Sequence, residues 1–206
     1  LVLEDLNNSA NDVELVITAP DSIKSRGNKK SPSAVKTYCI ENNLNYIEKV
    51  PEQKLIESIS PDIIIVASYG QIIPENILNS SFYGAINLHP SLLPKYRGPS
   101  PVQEAIINNE KITGTTIILL NNEVDGGPII LQEKYKVNEN EYLTELTIEL
   151  FKLGSKIIKK ILDNPKLILK AETQNKKEAS YTNKINKSDG HINWNESGTN
   201  IIQLIK

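Results

Sequence analysis

Asn87 and His89 stand at i and i+2 in the run Ala85-Ile86-Asn87-Leu88-His89-Pro90, which begins as an apolar strand and ends in a proline-stiffened loop. On a strand that spacing points both side chains to one face. One is an amide donor, and the other is the side chain that titrates nearest neutral pH. A carboxylate, Asp125, lies in the turn-rich Glu123-Val124-Asp125-Gly126-Gly127 between two predicted strands. Two further loops, Ser68-Tyr69-Gly70 and Ser91-Leu92-Leu93-Pro94, also follow predicted strands. Strand ends are where open α/β sheets bind ligands.

A lone histidine is more often structural, and a lone Asp-Gly is more often only a turn. It is the combination on strand ends that points to chemistry. These residues suit transfer to an amine through a tetrahedral adduct, which needs donors at the oxygen that becomes negative and a base for the attacking nitrogen. Asn and His supply donors, while a nearby carboxylate orients the imidazole, raises its pKa and handles protons. A covalent route has less support, because no Ser or Cys sits in a nucleophile elbow. With two His, one Cys and no paired ligand spacing, a zinc-type cluster cannot be assembled. His191, beside Gly190 in a polar stretch, reads as exposed or locally hydrogen-bonded. No Gly-rich phosphate loop is visible, so ATP- or NAD-dependent chemistry has no support.

The elements that must position these residues alternate strand with helix. Val13–Thr18, Tyr46–Ile47, Ile63–Ala67, the run from Ala85, Gly114–Leu120 and Ile129–Val137 are predicted strands. The continuous β-branched run Ile63–Ala67 is the pattern of a parallel strand covered on both faces. Helices are predicted at Ser33–Asn43, with Ser31-Pro32 as cap and first position, and at Glu52–Ile59, Ile73–Leu78 and Pro101–Asn108. The clearest is Tyr142–Asp163, where Leu143, Leu146, Leu150, Leu153 and Ile157 recur every three or four residues until Asp163-Asn164-Pro165 stops it. The alternation predicts an α/β fold, an open Rossmann-like and mostly parallel sheet with helices on both faces. After Pro165 the reading is a short β-like run at Leu167–Ala171, a polar stretch, and a helix at Gly198–Ile205.

The chain has 206 residues, 39% hydrophobic and 23% charged, which is globular composition. A net charge of −2 does not describe a general polyanion binder. No apolar run approaches the roughly 18 residues that span a bilayer, no export address is visible, and the one cysteine, Cys39, reads as a small buried apolar residue. The expectation is a cytoplasmic monomer without membrane contact. The sequence contains no Met, even at position 1, and it opens on a helix end. The expectation is that a first strand and its loop precede it. Lys24, Arg26, Lys29 and Lys30 cluster in the loop that follows the first predicted strand. Such a cluster is usually a solvated loop; at a strand end it could also meet a polyanionic substrate.

At Asn87-x-His89, followed by Ser91-Leu92-Leu93-Pro94 and Arg97-Gly98, with Asp125 further on, the chain resembles the 10-formyltetrahydrofolate-dependent formyltransferases. Part of this pattern, including Asp125-Gly126-Gly127-Pro128, is also close to the glycinamide ribonucleotide branch. Three stretches are similar to the methionyl-tRNA formyltransferases instead: Thr18-Ala19-Pro20-Asp21 through Lys30, Arg97-Gly98-Pro99-Ser100-Pro101-Val102-Gln103, and Tyr181-Thr182-Asn183-Lys184-Ile185 with Ile192-Asn193-Trp194. The resemblance implies formyl transfer from 10-formyltetrahydrofolate to methionine on initiator Met-tRNA, for translation initiation and without a metal. It implies Asn87, His89 and Asp125 as the catalytic trio, with Ser91, Leu92, Leu93 and Pro94 as a folate-binding segment. Tyr69, Gly70, Gln71, Ile72 and Ile73 and also Asn122, Glu123 and Val124 would line the folate site. Lys24, Arg26, Lys29 and Lys30 would contact tRNA. It also implies a catalytic domain over 1–188, with 189–206 leading to a C-terminal β-barrel domain. Two alternatives stay open: a formyltransferase for a small amine (glycinamide ribonucleotide or an amino sugar), and a non-catalytic folate- or tRNA-binding module.

Overall fold

The computed structural model describes residues 1–23 and 30–206, and these divide into two compact units, Leu1–Ala85 and Ile86–Lys206. The first unit opens on a helix, α1 (Val2–Asn7). Strand β1 (Val16–Ile17) is shorter than the apolar run that predicts it, and it pairs in parallel with β4 (Tyr46–Ile47). Between them lie an antiparallel pair, β2 (Ser22–Ile23) with β3 (Lys30–Ser31), and helix α2 (Ala34–Glu41). The cap of α2 is Ser33, whose hydroxyl accepts from the Lys36 N–H at 3.0 Å. Ser31 is therefore not the cap: it is used in the β3 pairing, and Pro32 lies before the cap rather than at the first helical position. The Lys36 ammonium binds Asp21 at 2.7 Å and also Glu48, and these hydrogen bonds hold its pKa above the ordinary lysine value. Helix α3 (Gln53–Ile59), strand β5 (Ile64–Ala67) and helix α4 (Glu75–Leu78) complete the unit, with all four β5 residues half-buried.

Strand β6 (Ala85–His89) leads into the second unit. There α5 (Pro101–Ile107) is followed by β7 (Ile112–Leu119), β8 (Ile129–Lys136) and α6 (Leu143–Asp163). β6, β7 and β8 form an antiparallel succession, with Asn87 opposite Ile118 and His89 opposite Thr116. The loop joining β7 to β8 is too short for a crossover, so that pair is antiparallel by necessity. The molecule is thus a mixed α/β protein, parallel at β1–β4 and antiparallel at β6–β7–β8.

Pairing is only half of what fixes β6. Its Ile86 and Leu88 are buried, and on α6 the residues Leu146, Leu150, Ile157, Ile158 and Ile161 are at most 1% exposed. Each such side chain contributes about 1.5–3 kcal/mol relative to exposure. Close approach of helix to sheet depends on Gly154. A Cβ there would lie 2.4 Å from Leu88 Cδ1 and 3.0 Å from Thr115 Cγ2. Val102 and Ile106 of α5 join Leu146 and Leu150 in one apolar cluster against Tyr135, Val137 and Leu143.

Beyond α6 the run expected to be β-like is a 3₁₀ helix, Pro165–Lys170, which Pro165 starts by fixing its own φ. Glu172 bridges to a strand, at Ile129. Two short 3₁₀ turns (Lys176–Glu178 and Lys187–Gly190) lead to α7 (Gly198–Ile205), which coincides with its predicted span. Among the described residues no helix is long and apolar enough to cross a membrane.

Candidate active site

The alternation along β6 buries Ile86 and Leu88 on one face and turns Asn87 and His89 to the other. On that face Asp125 meets both. Its Oδ1 accepts from Asn87 Nδ2 at 3.4 Å, and its Oδ2 lies 3.5 Å from His89 Nδ1. The Gly98 backbone N–H donates to Oδ2 at 2.7 Å. Asp125 has φ 46°, in the left-handed region that is uncommon outside glycine and that Asp and Asn adopt more readily than other side chains.

The imidazole is 4% exposed, and its Nε2 lies 2.9 Å from the Tyr96 carbonyl oxygen. A carbonyl only accepts, so Nε2 carries a hydrogen. In the neutral ring Nδ1 is then a bare lone pair directed at Asp125. Burial pushes the His89 pKa below the ordinary imidazole value, while the Asp125 charge and the Tyr96 carbonyl pull the other way. With Nε2–H directed at the Tyr96 carbonyl, Nδ1 is the nitrogen able to take a proton, and it faces Asp125.

Behind this trio lies a loop with little side-chain freedom. Ser91 and Leu93 are buried, and Thr116 Oγ1 donates to the Ser91 carbonyl at 2.6 Å while accepting from the Leu93 N–H at 3.2 Å. The Ser91 hydroxyl donates to the Lys95 carbonyl at 2.7 Å. Gln132 Nε2 donates both to Thr116 Oγ1 at 2.8 Å and to the Leu93 carbonyl at 2.9 Å. The Leu93–Pro94 peptide bond is cis. Leu92 and Pro94 are the partly exposed members of the segment. The Tyr96 hydroxyl donates to Glu110 at 2.7 Å, and burial first, then that carboxylate, pushes its pKa up to about 12.

The Asn122–Val124 stretch is at the surface, with Val124 66% exposed. The Glu123 carboxylate is engaged, accepting from Lys176 Nζ at 2.9 Å and from Arg97 at 2.8 Å. Those two cations, Lys176 foremost, hold its pKa below the ordinary carboxylate value. Tyr69, Gly70, Gln71, Ile72 and Ile73 belong to the first unit. There the Tyr69 hydroxyl is buried with no hydrogen-bond partner among the described residues, and burial pushes its pKa up. Ile72 is 94% exposed. Lys24, Arg26 and Lys29 lie outside the described residues; Lys30 is exposed at the start of β3. A polar cleft of about 470 Å³ lies in the first unit beside Asn7, Asn11 and Asn45, and none of the candidate site residues lines it.

Sequence reasoning missed Gln174 and gave Arg97 no task. Arg97 is fully buried, and its Nε and Nη2 both donate to Gln174 Oε1, at 3.1 and 2.7 Å. Its guanidinium also lies over the Tyr181 ring, 5.8 Å from the centroid. The Arg-Gly pair points to a special backbone, and Gly98 has φ 109° with Thr182 O 2.7 Å from where a Cβ would sit. Gln174, in an irregular polar stretch, carries no comparable signal. Among the described residues no three His, Cys, Asp or Glu side chains gather in a way that could hold a metal ion.

Residues 2–162 match the family model described as Formyl transferase. Over 197 residues the chain is 36% identical to a methionyl-tRNA formyltransferase of Thermodesulfovibrio yellowstonii, covering 93% of this chain and 64% of that relative. The chain therefore spans just under two thirds of that relative's length. Among solved structures, an N-formyltransferase from Helicobacter canadensis, in complex with folinic acid and dTDP-3-aminofucose, superposes with a TM-score of 0.74 at 23% identity, covering 99% of this chain and 74% of that one. The sugar 3N-formyl transferase WlaRD, in the presence of dTDP and 5-N-formyl-THF, gives a TM-score of 0.65 at 26% identity, covering 84% and 61%.

Proposed function

The chain belongs to the formyl transferase family, and we propose that it carries the part of a cytoplasmic enzyme that moves a formyl group from 10-formyltetrahydrofolate to the methionine amine of initiator Met-tRNA. The observation that carries this reading is the approach of Asp125 to both side chains on one face of β6, 3.4 Å from Asn87 Nδ2 and 3.5 Å from His89 Nδ1. The amine nitrogen attacks the formyl carbon, and the carbonyl electron pair moves to oxygen. Asn87 Nδ2, which has a second N–H besides the one directed at Asp125, donates to that oxygen. The proton released by nitrogen passes to the His89–Asp125 pair. Once Nδ1 holds it, the imidazole becomes a second donor to the adduct. Collapse breaks the bond between the formyl carbon and the folate nitrogen, which takes the proton back.

The folate would rest against Leu92, Pro94 and Val124. Ser91 and Leu93 shape that wall from beneath, because their polar groups are already paired. Tyr69 to Ile72, Asn122 and Glu123 are assigned to the same ligand by resemblance. The acceptor follows the name borne by the curated relatives, with Lys24, Arg26, Lys29 and Lys30 as its phosphate contacts.

The test is formyl transfer from labelled 10-formyltetrahydrofolate by the intact protein. Initiator Met-tRNA, glycinamide ribonucleotide and a dTDP-amino sugar are offered side by side. Product on tRNA is the expected result. Product on a small amine alone would replace the acceptor, and binding without any product would reduce the chain to a binding module.

A further inference from the structure

Asp125 sits in the left-handed region, which Asp tolerates better than most side chains but which sets the turn, and three groups in the site depend on where its carboxylate points. Something must hold the turn, and Gln174 touches it from a segment 49 residues away in sequence. Its Nε2 donates one hydrogen to the Asp125 carbonyl at 2.8 Å and the other to the Gly127 carbonyl at 2.7 Å. Its Oε1 accepts both bonds from Arg97. Every donor and acceptor of the amide is thus used, in a side chain whose residue is 5% exposed. Arg97 also holds the near end of the same turn through Glu123, and its neighbour Gly98 donates to the Asp125 carboxylate.

The segment bearing Gln174 is anchored in turn. Glu172 exchanges both backbone hydrogen bonds with Ile129, at 2.8 Å each. Arg97 N–H donates to the Ser180 carbonyl at 2.8 Å, and Thr182 N–H donates to the Arg97 carbonyl at 2.7 Å. The amide is therefore clamped on both sides, and the turn rests on it.

We propose that Gln174 is a positioning residue for Asp125, holding the left-handed turn that aims the carboxylate at Asn87 and His89. As a statement about catalysis this rests on the formyl-transfer reading. As a statement about geometry it does not. Its removal unpins two carbonyls without touching the amine, the formyl group or the trio's own side chains. A misplacement of about 1 Å at such a group costs up to a hundredfold in rate.

The experiment uses Gln174→Met, which keeps volume and adds no charge, and Gln174→Glu, which keeps the acceptor for Arg97 and removes both donors. Both are made in the intact protein. The expected result is a kcat lower by about tenfold or more, with KM for the formyl donor within about twofold. In an Asp125→Ala background Gln174→Met should cost nothing further, because the two act as a unit. The second readout needs no turnover. His89 is titrated by imidazole NMR, its resonances identified by their loss in His89→Gln. Its midpoint should fall in Gln174→Met, because the displaced carboxylate no longer raises it.

An unchanged His89 midpoint together with an unchanged kcat overturns the assignment. So does loss of the fold in both variants, which would leave Gln174 a structural role alone, and so does an additive effect in the Asp125→Ala background. A wild-type protein inactive on all three acceptors, whose His89 midpoint still falls in Gln174→Met, overturns the function and upholds the positioning.

Discussion

The Gly98 backbone N–H donates to Asp125 Oδ2 at 2.7 Å, while the same oxygen lies 3.5 Å from His89 Nδ1. One carboxylate oxygen is thus held by backbone and directed at the ring nitrogen that lacks a hydrogen. A carboxylate fixed in this way can pass a proton without first searching for its partner, which is the advantage of a preorganised site.

Replacing Asn87 by Ala, or Asp125 by Asn, removes a donor or a proton-handling group without opening the core. Each should lower the rate of formyl transfer by about a hundredfold. Steady-state kinetics with labelled formyl donor measures it, and near-normal rates would remove that residue from the site.

The pH dependence follows from His89. Its folded pKa is depressed, chiefly by burial, so the unfolded chain binds this proton more readily. Its contribution to stability is complete above about 6.5 and is lost as pH falls through the folded value. Urea unfolding should therefore show stability decreasing below about pH 6.5, with a shallower decrease in His89→Gln. The acid limb of the rate profile should lie in the same region, because protonation fills Nδ1 before the amine can use it.

Thr116 Oγ1 is a buried node with three partners: the Ser91 carbonyl, the Leu93 N–H and Gln132 Nε2. Thr116→Val leaves them without that oxygen, at a cost of about 1–3 kcal/mol. Because the affected loop is the proposed folate wall, KM for the formyl donor should rise more than kcat falls. An unchanged KM would separate this loop from the folate.

Gly154 tests the packing that holds β6. In Gly154→Ala the added methyl meets Leu88 and Thr115, so stability should fall by about 1–3 kcal/mol despite alanine's better helix propensity. A raised melting temperature would show that α6 can retreat from the sheet at no cost.

Changing Lys24, Arg26, Lys29 and Lys30 to Gln should raise KM for tRNA and flatten its dependence on salt by roughly 0.7–0.9 for each phosphate no longer neutralised. Transfer to a small amine by the same variant should not change. An unaltered salt slope would exclude these residues from the tRNA interface.

Sequence alone determined the elements whose cause is local. The 3.6-residue recurrence of leucines marks α6, because one helical face must be apolar to pack. The period of two along β6 already places Asn87 and His89 on one side, whatever the strand pairs with. Where the cause is local competition the reading failed: the cap moved from Ser31 to Ser33, and Leu167–Ala171 gave way to a turn begun by Pro165. What only the tertiary structure decided is the distance between parts. Asp125 is 38 residues from Asn87, and no spacing rule says that they meet. The same holds for Gln174 and Arg97, 77 residues apart. A saturated amide in a polar stretch looks like any surface glutamine until its four bonds are visible. Hydrogen bonds of this kind are made by the fold and leave no period in the chain.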